Sequence, residues 1–138
     1  HEVTLDAKMI SNILAEFMEA QDSQTTSRGV HCSAISDGEH ILKLADDIGR
    51  HNTLDKLMGY ILLQQPTLKP SILLTTGRIS SEMLQKAARM GVSVVISLTS
   101  PNTFTVQLAE EWGMTLIGYA RGSRFNVYSH PERFIDLS

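Results

Sequence analysis

The stretch that most narrows what this chain can become runs from Ser71 to Ala120. An apolar run, SILLTTG, leads into a helical pattern, ISSEMLQKAARMG. A second apolar run, VSVVISL, leads into TSPNTFTVQLAEEWG, and a third, MTLIGYA, follows. The runs are short and apolar, the mark of strands covered on both faces. Strands separated by helices in this order pair in parallel through right-handed crossovers. In the first helix Ile79, Met83, Leu84, Ala87 and Ala88 fall on the inward side, and Gly91 is the stop. The second opens at a Ser-Pro start and carries Phe104, Leu108 and Trp112 at four-residue spacing, ending at Gly113.

The chain before this rhythm is of a different kind. Leu5, Met9, Ile10, Ile13, Leu14, Phe17 and Met18 recur at helical spacing behind Thr4, a fair N-cap. DSQTTSRG (22–29) reads as a loop. VHCSAIS, DGEH and ILKLA read as a hairpin with its turn at Asp37-Gly38. A further helix carries Leu54, Leu57, Met58, Ile61 and Leu62 on one face, and QQPTLKP (64–70) breaks it. RFNVY closes as a final strand. A hairpin joined to parallel units predicts an α/β chain: a three-layer αβα mixed sheet, one domain over residues 1–138. At 138 residues and 42% hydrophobic, the chain is long enough for one real core. It has no apolar run long enough to span a bilayer. A helical pattern so close to His1, with no Met, suggests a piece of a longer chain. The net charge of −3 disfavours nucleic acid and membrane surfaces as partners, so an anion site must be local. The one cysteine, Cys32, permits no disulfide within the chain and fits a reducing, cytoplasmic setting.

In open α/β sheets, ligands sit beyond the carboxyl ends of the strands. Polar residues collect there. Thr75-Thr76-Gly77-Arg78 follows the first strand of the rhythm, with Ser80-Ser81 at the next helix start. Thr99-Ser100 follows the second, and Arg121-Gly122-Ser123-Arg124 the third. Helix N-termini expose N–H groups and partial positive charge, which suits phosphate. Gly77 lets backbone approach a ligand, and Arg78, Arg121 and Arg124 can pair with phosphate oxygens. Each feature also has a plain structural reading. Ser80 and Ser100 are helix caps, and Thr75 and Thr76 suit a strand end. His31-Cys32 sits on a strand, where Cys is usually a small buried hydrophobe. The stretch DDIGRHNTLDK (46–56) is the densest in polar groups. Asp46, Asp47, Arg50, His51, Asp55 and Lys56 can form a surface ion network, while Gly49-Arg50-His51-Asn52 can also present donors to an anion or a base edge. A zinc deaminase needs His-x-Glu and Pro-Cys-x-x-Cys, and a P-loop needs Gly-x-x-x-x-Gly-Lys-[Ser/Thr]; neither pattern is here, and no metal ligand set or catalytic residue is assigned.

Four stretches in order, GVHCSA, DDIGRHNTLDKLMG, TTGRISSEMLQKAARMGVSVVISLTSPN and LAEEWGMTLIGYARGSRFNVYSHPERF, resemble the formate dehydrogenase accessory sulfurtransferases of the FdhD/NarQ family. The resemblance covers nearly everything from Gly29 onward. It implies a cytidine-deaminase-like fold without the zinc site, and a homodimer. It implies a part in maturing formate dehydrogenase, with sulfur passed from a cysteine desulfurase to the bis-molybdopterin guanine dinucleotide molybdenum cofactor. GDP is then a surrogate for the cofactor's nucleotide ends. The family's cofactor-binding stretch matches Tyr119, Ala120, Arg121, Gly122, Ser123 and Arg124, with Ser123 where a second glycine is common. Its other motifs match His31-Cys32, Gly49 to Asn52 and Thr76 to Arg78. Chemistry then suggests Arg50 and His51 as donors to phosphate or pterin oxygens, Asn52 as a cap or base contact, and Asp55 and Lys56 as support. The family carries its sulfur on an upstream Cys-x-x-Cys loop that is absent here, and Cys32 lies in a different motif. A phosphosugar-binding module of the sugar isomerase type also ends strands in Thr/Ser-x-Gly and Thr/Asn-Ser, but leaves the hairpin and the Gly-Arg-His-Asn loop unexplained. A chaperone with no ligand leaves the arginines unexplained.

Overall fold

Six strands form one mixed sheet in the order β2-β1-β3-β4-β5-β6. A computed structural model describes residues 3–24, 30–64 and 67–135. The elements are α1 (Ala7–Gln24), β1 (His31–Ser36), β2 (Ile41–Asp47), α2 (Arg50–Gln64), β3 (Ile72–Thr75), α3 (Ser81–Met90), β4 (Val94–Ser97), α4 (Thr103–Glu111), β5 (Thr115–Arg121) and β6 (Arg124–Val127), then a 3₁₀ turn at Pro131–Arg133. Strands β3, β4 and β5 are parallel, as their rhythm predicts. The β1–β2 hairpin joins them with β1 antiparallel to β3, and β6 pairs antiparallel with β5. Parts of the predicted loops at 22–29 and 64–70, namely residues 25–29 and 65–66, lie outside the described residues.

The sheet separates two apolar layers. Ile35, Leu73, Val95 and Leu116 face α2, α3 and α4. Ala34, Ile72, Leu74, Val94, Ile96 and Ile117 face the other way, towards Ile10, Ile13, Leu14 and Phe17 of α1. This is the expected αβα layering, with both crossover helices on one face. Full burial of a side chain such as Phe17 or Leu74 contributes about 1.5–3 kcal/mol.

Several helix readings shift on inspection. The N-terminal cap of α1 is Asp6, whose carboxylate accepts the Met9 N–H at 2.8 Å, and not Thr4. Leu5, read as helical, instead bridges to Phe134. Ser80 does cap α3, but α4 is capped by Asn102, whose Oδ1 accepts the Thr105 N–H at 2.8 Å, and not by Ser100. The stripe Phe104–Leu108–Trp112 is rotated off the core: Phe104 is 59% exposed and Trp112 is exposed, Leu108 packs partly buried against the core, and Thr105 and Ala109 are fully buried. Thr105 Oγ1 donates to the Ile79 carbonyl, which fixes that rotation. In α3 Met90 rather than Ala88 is buried, and in α2 Leu62 is exposed.

The chain end is clasped by His130. Its Nδ1 lies 2.5 Å from Glu132 Oε2 and its Nε2 2.7 Å from the Glu110 carbonyl oxygen. Both ring nitrogens face acceptors, so only the imidazolium can donate to both. The bond to the Glu110 backbone and then the bond to Glu132 raise the His130 pKa above its ordinary 6.5. The bond from His130 holds Glu132 below its ordinary 4.5. The raised His130 value adds stability that is complete below about pH 6.5 and is lost as pH rises through the folded-state pKa. The lowered Glu132 value adds stability that is lost as pH falls through its own folded-state pKa. Thermal melts should therefore decline from about pH 6.5 upward. Glu132→Gln should flatten that decline in part, since the Glu110 bond remains; an equally steep decline in this variant would remove Glu132 as a source of it.

Candidate functional site

The topology brings most of the polar loops to one edge of the sheet. Strand β1 is antiparallel to both neighbours, so its first residues lie beside the last residues of β2 and β3: His31 pairs with Asp47, and Ser33 with Thr75. The ends of β4 and β5 lie at the same edge, because these strands are parallel to β3. Helices α2, α3 and α4 each begin there, following β2, β3 and β4. Three helix N-termini therefore point their unpaired N–H groups towards one edge.

A cleft of about 470 Å³ opens at this edge between the starts of α2, α3 and α4. Arg50, Arg78, Ser80, Thr99, Ser100 and Asn102 line it, with Ile79 and Pro101. Two of these residues are cationic and none is acidic, although the whole chain is acidic. Arg50 opens α2, and its Nε is shut off from solvent with no hydrogen-bond partner among the described residues. An orphaned guanidinium N–H is costly unless an acceptor completes it.

Gly77 is buried next to Arg78, just behind the cleft lining. A β-carbon there would lie 3.4 Å from His31 Nδ1 and 3.5 Å from Cβ and Cδ of Arg50. His31, Arg50 and Gly77 are thus close neighbours, although they come from three separate segments. Thr76 fastens the turn to β1: its N–H donates to the Cys32 carbonyl at 2.9 Å, and its hydroxyl accepts the Cys32 N–H at 3.1 Å. Cys32 itself is 2% exposed and sits in the α1 layer.

The rest of DDIGRHNTLDK does not all point into the cleft. Asp47 is the organiser of the turn: its Oδ1 accepts the Gly49 N–H at 3.0 Å and the Asn52 side-chain amide at 3.1 Å. Lys56 completes it, 3.0 Å from Asp47 Oδ2 and donating to the Asp46 carbonyl. The Gly49 N–H, then Lys56 and Asn52, hold the Asp47 carboxyl well below the usual carboxylate range. Asn52 therefore braces Asp47 in place of capping the helix. Asp55 pairs with Lys86 of α3 at 2.9 Å, and His51 is half-buried on α2.

The hairpin of Tyr119 to Arg124 stands next to the cleft. The Tyr119 N–H donates to the Thr99 carbonyl at 3.1 Å. Tyr119 has φ of 53°, unusual for a residue with a side chain, and its ring is exposed. Arg121 pairs across the strands with Arg124, both exposed, with Gly122-Ser123 as the turn. Ala120 is buried beneath the hairpin. A separate hollow of about 680 Å³ includes His130, Glu132 and Arg133. There His130 is tied to Glu132, and Arg133 donates to Thr115, so these groups serve the clasp.

Four functional-edge residues escape a reading of loops alone: Ser33, Thr53, Ser97 and Asn102. Asn102 lines the cleft while capping α4. The others are hydroxyls inside apolar elements. Their trace in the sequence is a small polar residue closing HCS and VVIS, and one inside RHNTL.

The model of the FdhD/NarQ family matches residues 1–135. The chain belongs to the FdhD/NarQ family. It is 42% identical over 135 residues to the sulfur carrier protein FdhD of Staphylococcus aureus strain Newman, covering 98% of this chain and 51% of that protein. The same figures hold for the protein of strain USA300. This FdhD/NarQ chain thus spans about half the length of the curated relatives it matches. A crystal structure from Desulfotalea psychrophila, described as that of a formate dehydrogenase accessory protein, superposes with a TM-score of 0.85 at 32% identity. It covers 97% of this chain and 58% of that one.

Proposed function

We propose that this FdhD/NarQ chain forms the cofactor cleft of a protein that matures formate dehydrogenase. The cleft takes the pyrophosphate and guanine nucleotide parts of the bis-molybdopterin guanine dinucleotide molybdenum cofactor. The observation that carries this reading is the cleft itself, where Arg50 and Arg78 stand with no acid at three helix starts and Arg50 Nε has no partner among the described residues. Those groups fit a multiply charged phosphate, since each oxygen accepts several N–H donors. The cofactor supplies the metal centre that the dehydrogenase uses; this chain binds and orients it. The hairpin with Arg121 and Arg124 borders the cleft and suits the nucleotide end. In the whole protein, sulfur comes from a cysteine desulfurase in the cytoplasm, and two copies of the protein act as a homodimer.

Cys32 is not the sulfur carrier. Its thiol is buried in the α1 layer, where a persulfide could not reach a donor protein. Residues 1–138 therefore bind cofactor, while sulfur transfer belongs to a cysteine elsewhere in the whole protein.

Calorimetric titration with GDP tests the reading, with a hexose phosphate and an Arg121→Ala variant beside it. GDP should bind, the hexose phosphate should bind far more weakly, and Arg121→Ala should weaken GDP. A hexose phosphate binding as well as GDP would replace the nucleotide reading by a phosphosugar one.

A further inference from the structure

The last rung of the sheet before the cleft is a row of hydroxyls. Ser33 on β1 is in register with Thr75 on β3, and Thr75 with Ser97 on β4. One step inward on the same face, the row is Ile35, Leu73 and Val95, all apolar. Ser33, Thr75 and Ser97 are 0–2% exposed, as is Thr53 from α2. Buried hydroxyls are tolerated where they find partners, and apolar residues of the same shape would serve packing better.

The partners form a continuous path across the cleft floor. Thr53 Oγ1 lies 2.6 Å from the Arg50 carbonyl oxygen and 2.7 Å from Ser33 Oγ, and its one proton is shared between these two acceptors. Ser33 Oγ donates to Thr75 Oγ1 at 3.0 Å, which also accepts the Gly77 N–H at 3.2 Å. Ser97 Oγ donates to the Gly77 carbonyl at 2.8 Å, lies 3.0 Å from Thr99 Oγ1 and accepts the Thr99 N–H at 3.0 Å. The path enters at Arg50, crosses three strands, passes through the Gly77 peptide groups and leaves at Thr99. Each loop that lines the cleft is held by it at one point.

We propose that this buried hydroxyl path is a positioning device that sets Arg50, the Gly77 turn and the Thr99 loop relative to one another, so that they meet a phosphate anion as one unit. Its four buried members touch no ligand; they act through the groups they hold. Arg50 is steered through its carbonyl by Thr53, and its stem lies beside the Gly77 turn, where an added β-carbon would meet it. The anion-binding part rests on the cleft reading above, whereas the coupling between loops belongs to the free protein.

The test reads the coupling without ligand. Thr53→Val keeps the shape and removes one end of the path. Amide hydrogen exchange in the free protein should quicken at least about tenfold at Gly77 and Thr99, with residues such as Val94 unchanged; local openings of this kind are read residue by residue. Thr53→Ser, which keeps the hydroxyl, should restore the wild-type rates. Ser97→Ala, read at the Thr53 amide, which donates to the Gly49 carbonyl, interrogates the path from its other end and serves if Thr53→Val does not fold. Exchange changes confined to the neighbours of the substituted residue, in whichever variant folds, would overturn the proposal. GDP titration of the same variants separates the two readings. Coupled loops with about tenfold weaker GDP binding in Thr53→Val, restored in Thr53→Ser, support both. Coupled loops in a wild-type protein that ignores GDP keep the positioning device and remove the nucleotide reading.

Discussion

Gly118→Ala is expected to destabilise the protein by about 2–3 kcal/mol, the upper part of the range for overpacking a filled site. A β-carbon at Gly118 would stand 2.9 Å from three atoms: Pro101 Cδ, the Thr99 carbonyl oxygen and Tyr128 Cε2. None is the free end of a flexible chain. The Thr99 oxygen is fixed because it accepts the Tyr119 N–H, and Pro101 is held by its ring. Relief must come from moving the β4–α4 loop away from β5. That loop carries Thr99 and Ser100 of the cleft, so GDP affinity should fall with stability. Gly59→Ala is the contrasting control. Gly59 lies within α2 and a β-carbon there would meet nothing within 4 Å. Alanine at that exposed helical position should stabilise by roughly 0.4–1 kcal/mol. Urea melts of the two variants read both signs. Wild-type stability in Gly118→Ala would show that the loop yields freely.

Arg50→Ala should weaken GDP binding by about 1.5–3 kcal/mol, the span for hydrogen bonds to charged groups. That is roughly ten- to hundredfold in Kd. The fold should not suffer in step. Arg50 Nε has no partner among the described residues to lose, and a cation in the first turn of α2 opposes the helix dipole. Stability should therefore hold steady or rise by a few tenths of a kcal/mol in the variant. Loss of affinity without loss of stability is the signature of a residue kept for its ligand. Arg50→Lys retains the charge but not the planar fork, and should recover only part of the affinity. The salt dependence of binding should be shallower in Arg50→Ala than in wild type, since one phosphate contact is gone. Unchanged affinity in Arg50→Ala would return DDIGRHNTLDK to a purely structural role.

The β3–α3–β4–α4–β5 unit was legible because strand burial and helix spacing leave strong periodic traces. The hairpin was legible because Asp37-Gly38 is turn chemistry, and Gly38 indeed takes a positive φ of 103°. The rotation of α4 was not. Its apolar residues at four-residue spacing describe a stripe, yet the core takes Thr105 and Ala109, because small residues let a nine-residue helix lie close to α3 and β5. Spacing gives a period; only packing gives the phase. The same holds for the candidate site. Arg50, Arg78, Ser80, Thr99 and Ser100 were legible as loop residues at strand ends, and they do meet in one cleft. Ser33, Thr53 and Ser97 were not, since a hydroxyl in an apolar element reads as neutral until its cross-strand partner is known.

The bridge between Leu5 and Phe134 places a constraint on time as well as space. Leu5 donates its N–H to the Arg133 carbonyl, and its own carbonyl accepts the Ile135 N–H. Nearly the whole described chain lies between these partners. On a ribosome, Leu5 is made well before Arg133 to Ile135 and waits for them. The segment that leads into α1 can be anchored only once the clasp residues have emerged, so until then α1 carries an apolar face that no finished sheet covers. Contacts of such long sequence separation close slowly. Helix α1 is thus made before the segment that secures it, and a chain stalled short of Phe134 leaves that face open to other partners.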